Sequence, residues 1–481
     1  MKSSCFNLST LRFAGIALLV SGYCQAADIY ILPQGSGSRD GSSWQNAKAG
    51  SKADFAAAWN ALSPGDTLHV GSGTYKDVGV SATKGGEEGK SIRLLGEDRG
   101  SGLPLCTSNF NKTSPGNTGG TFFESKFGTS NFEVSGFHLK NYKCGVFLRG
   151  RNVNVKISNM NMEESRECIR SEGGAMEDNP TPGTHNVTVT DCRFFHYTKG
   201  GIRLQEGNYN WRIERCLADA GGKEWATEPF HEGFHVIGSH AKKGKPVPGA
   251  APEPKSAPDH HIEFYDCTAL NSYSEATSPP KPGVVVDSSK LYWNGDGFCD
   301  EAGCHHIRFV RCVSMHHTDG GWDVKSDAPE LIDCVALDNK ENYRLWSDNG
   351  AGKMYNCISG FAHKRGGSGH SAGLWGHGSI DAQYCTYLDN ETMQLSREKE
   401  KAEAKVVFKD SIFSLRGLNS KLGESETVKF ENSVTDEKDP KIAATKATGW
   451  TSPASATAYD NAKYGETKGF SSKRWSKGDA R

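Results

Sequence analysis

The chain has 481 residues, of which 36% are hydrophobic and 23% charged, a globular balance that excludes a disordered chain and provides for a sizeable core. Lys+Arg 56 against Asp+Glu 57 leaves a formal net charge of −1, so no overall field draws the protein to nucleic acid or an anionic membrane. Glycine, at 56 residues, is in excess, while 18 prolines and the lack of a Gly-X-Y period exclude collagen and point to many tight, repeated turns.

Lys2 and Arg12 precede the apolar stretch Phe13 to Val20, and Ala26 and Ala27 offer a cleavage point before Asp28. Residues 1–27 therefore read as a secretory signal peptide, with an apolar run well short of the ~20 residues that span a bilayer. The mature protein is expected to be exported (extracellular or periplasmic), free of the membrane and monomeric. Cys24 does not read as a lipidation site, because bulky Tyr23 precedes it. Residues 53–62 (ADFAAAWNAL) predict a short helix, and residues 63–75 (SPGDTLHVGSGTY) a turn and a first strand. Together they suit a cap over the open end of a sheet stack.

Cys192, Cys216, Cys267, Cys312, Cys334, Cys357 and Cys385 share one local frame: an alternating run, a residue that is usually polar, the cysteine, then small or apolar residues. Their spacings are 24, 51, 45, 22, 23 and 28, so a unit of 22–24 residues recurs, with insertions where the gap doubles. Gly136 and Met160 extend the column before it, and Ser411 and Ser433 after it. About ten residues later comes a second run: GVFLRG at 145, ECIRSEGG at 167, GGIRLQEG at 200, EGFHVIGS at 232, DGFCDEAG at 296, GGWDVKSD at 320, ENYRLWSD at 341 and AGLWGHG at 372. Each unit thus carries at least two short strands.

Units too short for a helical crossover, repeated about a dozen times, stack as coils of a parallel β-helix. The expected organisation is a signal peptide at 1–27, a β-helix over 28–440 and a C-terminal extension over 441–481. Residues 242–258 and 397–405 read as surface excursions. Like positions then form ladders ~4.8 Å apart, and the cysteine column reads mainly as an internal ladder of small side chains, within which some neighbours lie at a distance a disulfide can span. Cys299 and Cys304, bracketing CDEAGC, are a separate disulfide hypothesis for an exported protein.

In the second strand Val146, Ile169, Ile202, Phe234, Phe298, Trp322 and Tyr343 are the inward column. The outward column is then Phe147, Arg170, Arg203, His235, Cys299, Asp323 and Arg344, followed two residues on by Arg149, Glu172, Gln205, Ile237, Glu301, Lys325 and Trp346. Such a basic and acidic strip suits an anionic polymer; a solvated face of mutual ion pairs is the plainer alternative. NGDGF and HHTDGGWDVKSD bring Asp296 and Asp319, 23 residues apart, into an expected stack, with Asp323 nearby. Three converging carboxylates suit Ca²⁺.

The segments DIYILPQGSGSRDGSSWQNA and PGDTLHVGSGTY resemble the start of secreted pectate-lyase-like right-handed β-helix proteins, and the DGF and TDGGWD motifs resemble polysaccharide lyase family 9. The resemblance implies calcium-assisted β-elimination on an acidic, pectate-like polysaccharide. Asp296, Asp319 and Asp323 match ligand positions. Gly320 departs from the family, which has a further aspartate there, and Arg344 stands where the family has its catalytic lysine. Arg344 is the favoured base and Lys325 its rival, with Arg203, His235 and Trp346 as substrate contacts. Two other classes stay open: a metal-independent glycoside hydrolase using paired carboxylates, and a non-catalytic polysaccharide-binding β-helix protein.

Overall fold

The computed structural model describes residues 28–172, 183–205, 207–237, 262–275, 287–346, 350–390, 404–413, 427–435 and 466–475, with a few isolated residues between these segments. The expected signal peptide, residues 242–258, residues 397–403 and most of the C-terminal extension lie outside the described residues.

The chain winds as a right-handed parallel β-helix, all-β apart from short helices. One parallel sheet runs from Asp28–Leu32 to Val428–Glu431, and a second holds the two remaining strand ladders of the stack. A full coil therefore has three strands, as in Ile307–Val310, Val313–Met315 and Gly320–Val324. The sequence pattern separates only two, because the first and second share one alternating run. What divides them is backbone conformation. The residue before each column cysteine has a left-handed φ: Asp191 56°, Arg215 52°, Asp266 52°, Arg311 53°, Asp333 56°, Asn356 54° and Tyr384 54°. Asp and Asn tolerate that conformation best among non-glycine residues, and each turns the chain onto the next face. Stacked corners also pair, Arg215 on Asp191 at 2.7 and 2.8 Å and Arg311 on Asp266 at 2.7 and 2.8 Å.

All seven column cysteines are buried, and all are free thiols. Each Sγ donates to the carbonyl two residues back, for example Cys334 to Ile332 at 3.5 Å and Cys267 to Tyr265 at 3.3 Å. Ser411 and Ser433 repeat this bond through Oγ, to Lys409 at 2.9 Å and Glu431 at 3.1 Å, which explains why serine can replace cysteine in the column. The column is thus an internal ladder with no bridge in it.

The inward column has the expected register, Val146↔Ile169↔Ile202↔Phe234↔Phe298↔Trp322↔Tyr343. Its rings stack at 4.9, 5.0 and 5.0 Å from Phe234 to Tyr343, each such pair adding roughly 0.5–1.5 kcal/mol beyond its buried area. The cap is the helix Lys52–Ala61, one residue earlier at each end than expected and started by a Ser51–Asp54 capping box. It buries Phe55, Ala58 and Trp59 over the first coils. From the C-terminal extension, Phe470 inserts among Val313, Met315, Val335, Leu337 and Ile358, covering the outer face of the second ladder.

Candidate active site

The outward face of the third ladder gathers the polar side chains. Its register is Phe147↔Arg170↔Arg203↔His235↔Cys299↔Asp323↔Arg344↔Trp375, as expected and one coil longer. A further column lies three residues earlier on these coils, Glu167, Gly200, Glu232, Asp296, Gly320 and Glu341; strict alternation would turn it inward, but its acids reach the outward side chains, so alternation alone does not separate it. The signal was present, since each of these residues opens one of the repeated runs. On three coils it sets an acid beside a partner three residues on: Glu167–Arg170 at 3.3 Å, Glu232–His235 at 2.5 Å and Glu341–Arg344 at 3.3 Å.

The expected stacking of Asp296 on Asp319 is corrected by one residue. Phe298 pairs with Trp322, an offset of 24, so Asp296 lies beside Gly320, whose N–H donates to Asp296 Oδ1 at 2.6 Å. The offset is set by the packed aromatic column, which admits no slip. The two aspartates still feel each other. Burial, then the charges of Asp319 and Asp323, push the Asp296 carboxyl well above the usual carboxylate range.

Asp319 and Lys340 are wholly buried and joined at 2.9 Å. The Tyr292 hydroxyl donates to the same Asp319 Oδ1 at 2.8 Å and accepts from Arg344 at 3.0 Å. Burial raises the Asp319 carboxyl, with Lys340 and Arg344 opposing. Asp323 accepts from Trp346 Nε1 at 2.8 Å on one oxygen, while Lys325 Nζ lies at 3.0 Å and Arg344 at 3.6 Å from the other. Burial opposes its ionisation, but Lys325 and Arg344 outweigh it and hold Asp323 below the usual range. Lys325 also meets Glu301 at 3.2 Å. Burial disfavours charge on Lys325 and on Arg344, yet the surrounding carboxylates prevail and hold both as cations. Burial, then Asp319, push Glu341 up to about 8.

The structure thus unites Asp296, Asp319, Asp323, Lys325, Arg344 and Trp346, and adds Tyr292, Lys340 and Glu341. Beside Arg344 stands an aromatic shelf that the sequence reading stopped short of, Trp346 and Trp375 at 4.6 Å and Trp375 stacked on His377 at 6.0 Å. The Arg344 guanidinium lies 4.8 Å from the Trp346 ring and 5.1 Å from that of Trp375. His235 is one strand from Cys299, and Arg203, bound to Glu167 at 2.7 Å, stands further along the face. Cys299 and Cys304 are both free and buried, so the loop between them is not bridged. The Cys304 thiol is instead aimed at the Val236 carbonyl, 3.8 Å away.

Calcium takes six to eight hard oxygens. Here Asp319 is committed to Lys340 and Tyr292, Gly320 brings no carboxylate, and Asp323 is engaged by Trp346 and Lys325. Asp296 Oδ2 alone among these carboxylate oxygens is buried with neither a hydrogen-bond partner nor a cation beside it. The Cys299 thiol, a soft ligand that calcium does not take, lies in one group with Asp296 and Asp323, their ligand atoms within 4.8 Å of one another. The residues present do not fit the expected three-aspartate calcium site.

No protein-family model matches this chain, and neither does any curated protein. Among solved structures it is similar to XylC in complex with xylose, at 9% identity and a TM-score of 0.52 over 86% of this chain and 87% of that one. It is also similar to pectate lyase Pel9A, at 12% identity and a TM-score of 0.46 over 88% of each chain. The A-module of the Azotobacter vinelandii mannuronan C-5 epimerase AlgE6 aligns at 12% identity and a TM-score of 0.47, over 80% of this chain and 94% of that one. At these identities the likeness is one of fold. No helix among the described residues is long and apolar enough to cross a membrane.

Proposed function

We propose that the protein is an exported enzyme that cleaves a uronate-containing polysaccharide by β-elimination. One observation carries this reading: the Tyr292 hydroxyl bridges Arg344 and Asp319, at 3.0 and 2.8 Å, beside an indole shelf suited to a sugar ring. Elimination removes the proton on C5 of a uronate, which its own carboxylate makes reluctant to leave. Positive charge on that carboxylate stabilises the enolate-like transition state. Arg344 and Lys325, both fixed as cations, supply that charge, and this replaces the expectation that one of them accepts the proton.

The acceptor in this reading is Tyr292, which takes the C5 proton as it passes its own to Asp319 Oδ1. Burial has raised the basicity of Asp319, while Lys340 keeps it anionic for the purpose. The C4–O4 bond then breaks, and the departing O4 takes the proton that Asp319 returns through Tyr292, leaving an unsaturated sugar end. Trp346 and Trp375 hold the ring, and His235 and Arg203 contact the chain further along the face. Calcium, implied by the family resemblance, has no part in this reading, because Lys325 and Trp346 already engage Asp323.

A second reading has its own support. Glu341, pushed up to about 8, is protonated at neutral pH, while Asp323 is held ionised, the division of roles that paired-carboxylate hydrolysis uses. The test is incubation with a panel of uronans, with and without chelator, following the ultraviolet absorbance of unsaturated ends against total reducing ends. Elimination requires both to rise together, and Tyr292→Phe to abolish both. Reducing ends without absorbance would establish hydrolysis instead.

A further inference from the structure

We infer that the coils carrying Glu232–Val236, Phe298–Asp300 and Gly320–Val324 form a binding site for a divalent ion of the zinc class, centred on the Cys299 thiol. The inference does not depend on the proposed reaction.

His235, Cys299 and Asp323 occupy successive outward positions on three adjacent strands. Glu232, His235 and Cys299 each bring one ligand atom within 4.8 Å of the others, and Asp296, Cys299 and Asp323 do the same. The thiol is therefore shared by two groups of donors, and in the second an ion takes the place of the Lys325 ammonium beside Asp323. All five residues are buried, with exposures of 1% for Glu232, 6% for His235, 1% for Asp296, 4% for Cys299 and 3% for Asp323.

An independent observation points to a ligand. Asp296 is held through Oδ1 by the Gly320 N–H at 2.6 Å, and its buried Oδ2 has no hydrogen-bond partner. A buried carboxylate oxygen without a partner is costly, and a cation satisfies it. The imidazole adds to this: His235 Nδ1 lies 2.5 Å from Glu232 and Nε2 3.8 Å from Glu301, yet neither buried ring nitrogen has a hydrogen-bond partner.

The donor types choose the ion. Sulfur, imidazole nitrogen and carboxylate oxygen in a small cluster suit a tetrahedral ion of borderline softness, whereas calcium uses oxygen alone. Cys299 also stands apart from the cysteine ladder, facing outward and forming no bridge. Binding forms a metal–sulfur bond as the S–H bond breaks, and the proton passes to solvent, so affinity rises with pH.

The test uses the full mature chain, reduced, stripped with chelator and titrated with Co²⁺ as a spectroscopic substitute for Zn²⁺. One equivalent is expected to produce a thiolate-to-cobalt charge-transfer band and the intense visible bands of tetrahedral cobalt, both discharged by Zn²⁺. Cys299→Ser should lose the charge-transfer band, and Cys304→Ser should keep it. His235→Gln should weaken binding at least about tenfold, which tests the site even if Cys299→Ser fails to fold. Absence of the band in the parent, its survival in Cys299→Ser, or unchanged affinity in His235→Gln would each overturn the inference.

Discussion

Replacing Lys340 by Met tests the electrostatics beneath the site. Lys340 and Asp319 are both 0% exposed and 2.9 Å apart, so the variant leaves a carboxylate buried with its principal cation gone. Breaking such a pair from one side costs about 3–5 kcal/mol, since the remaining charge keeps its desolvation penalty. Spread over a cooperative unit of roughly 400 residues at ~2.1 cal/mol/K per residue, this lowers Tm by about 4–6 °C. Lys340→Met/Asp319→Asn should recover most of the loss, because the amide carries no charge and still accepts from Tyr292. The deficit of the single variant should also shrink as pH falls, since the folded state then gains by protonating Asp319. Differential scanning calorimetry of the parent, both singles and the double variant at two pH values measures each quantity. A shift below about 1 °C for Lys340→Met, or a double variant no better than that single, would refute the reasoning.

Tyr292→Phe should collapse kcat with KM nearly unchanged, whereas Trp375→Ala should chiefly raise KM, readable from initial rates on whichever uronan the parent cleaves. Burial raises Asp300 from 3.8 to about 7 against the opposing N–H bonds it accepts from Lys325 and Ser326, so the folded state holds a proton that the unfolded state releases. Its contribution to stability is therefore present below pH 3.8 and is lost as pH rises towards about 7, and Asp300→Asn should flatten the slope of denaturation midpoint against pH in that window. Cys334→Ser should cost no more than about 1 kcal/mol in a urea titration, because Ser411 and Ser433 already show the hydroxyl making the same bond, whereas Cys334→Leu should cost about 1–3 kcal/mol by overpacking. Adding calcium to the chelated protein should not raise Tm beyond an equal ionic strength of sodium; a specific rise would restore the three-aspartate site.

Much of this molecule was written in its sequence, because a β-helix repeats one local problem many times. The cysteine frame, the inward aromatic column and the outward column through Arg344 follow from strand alternation alone, and the register agrees with them residue for residue. The capping helix was legible for the same reason, as a local pattern with a local start signal. What the sequence left undecided turns on angles and offsets. A left-handed corner at a single polar residue has the same pattern as a polar position of an alternating strand, so the third strand of each coil is not legible. A register of 24 rather than 23 moved Asp296 from Asp319 to Gly320, and only the packing of Phe298 against Trp322 fixes that number. Above all, the sequence placed acids and bases on one face without saying which would pair. Burial decided that: it joined Lys340 to Asp319, set Lys325 and Arg344 against carboxylates that hold them as cations, and left one oxygen of Asp296 without a partner, because charges withdrawn from water must find partners in three dimensions.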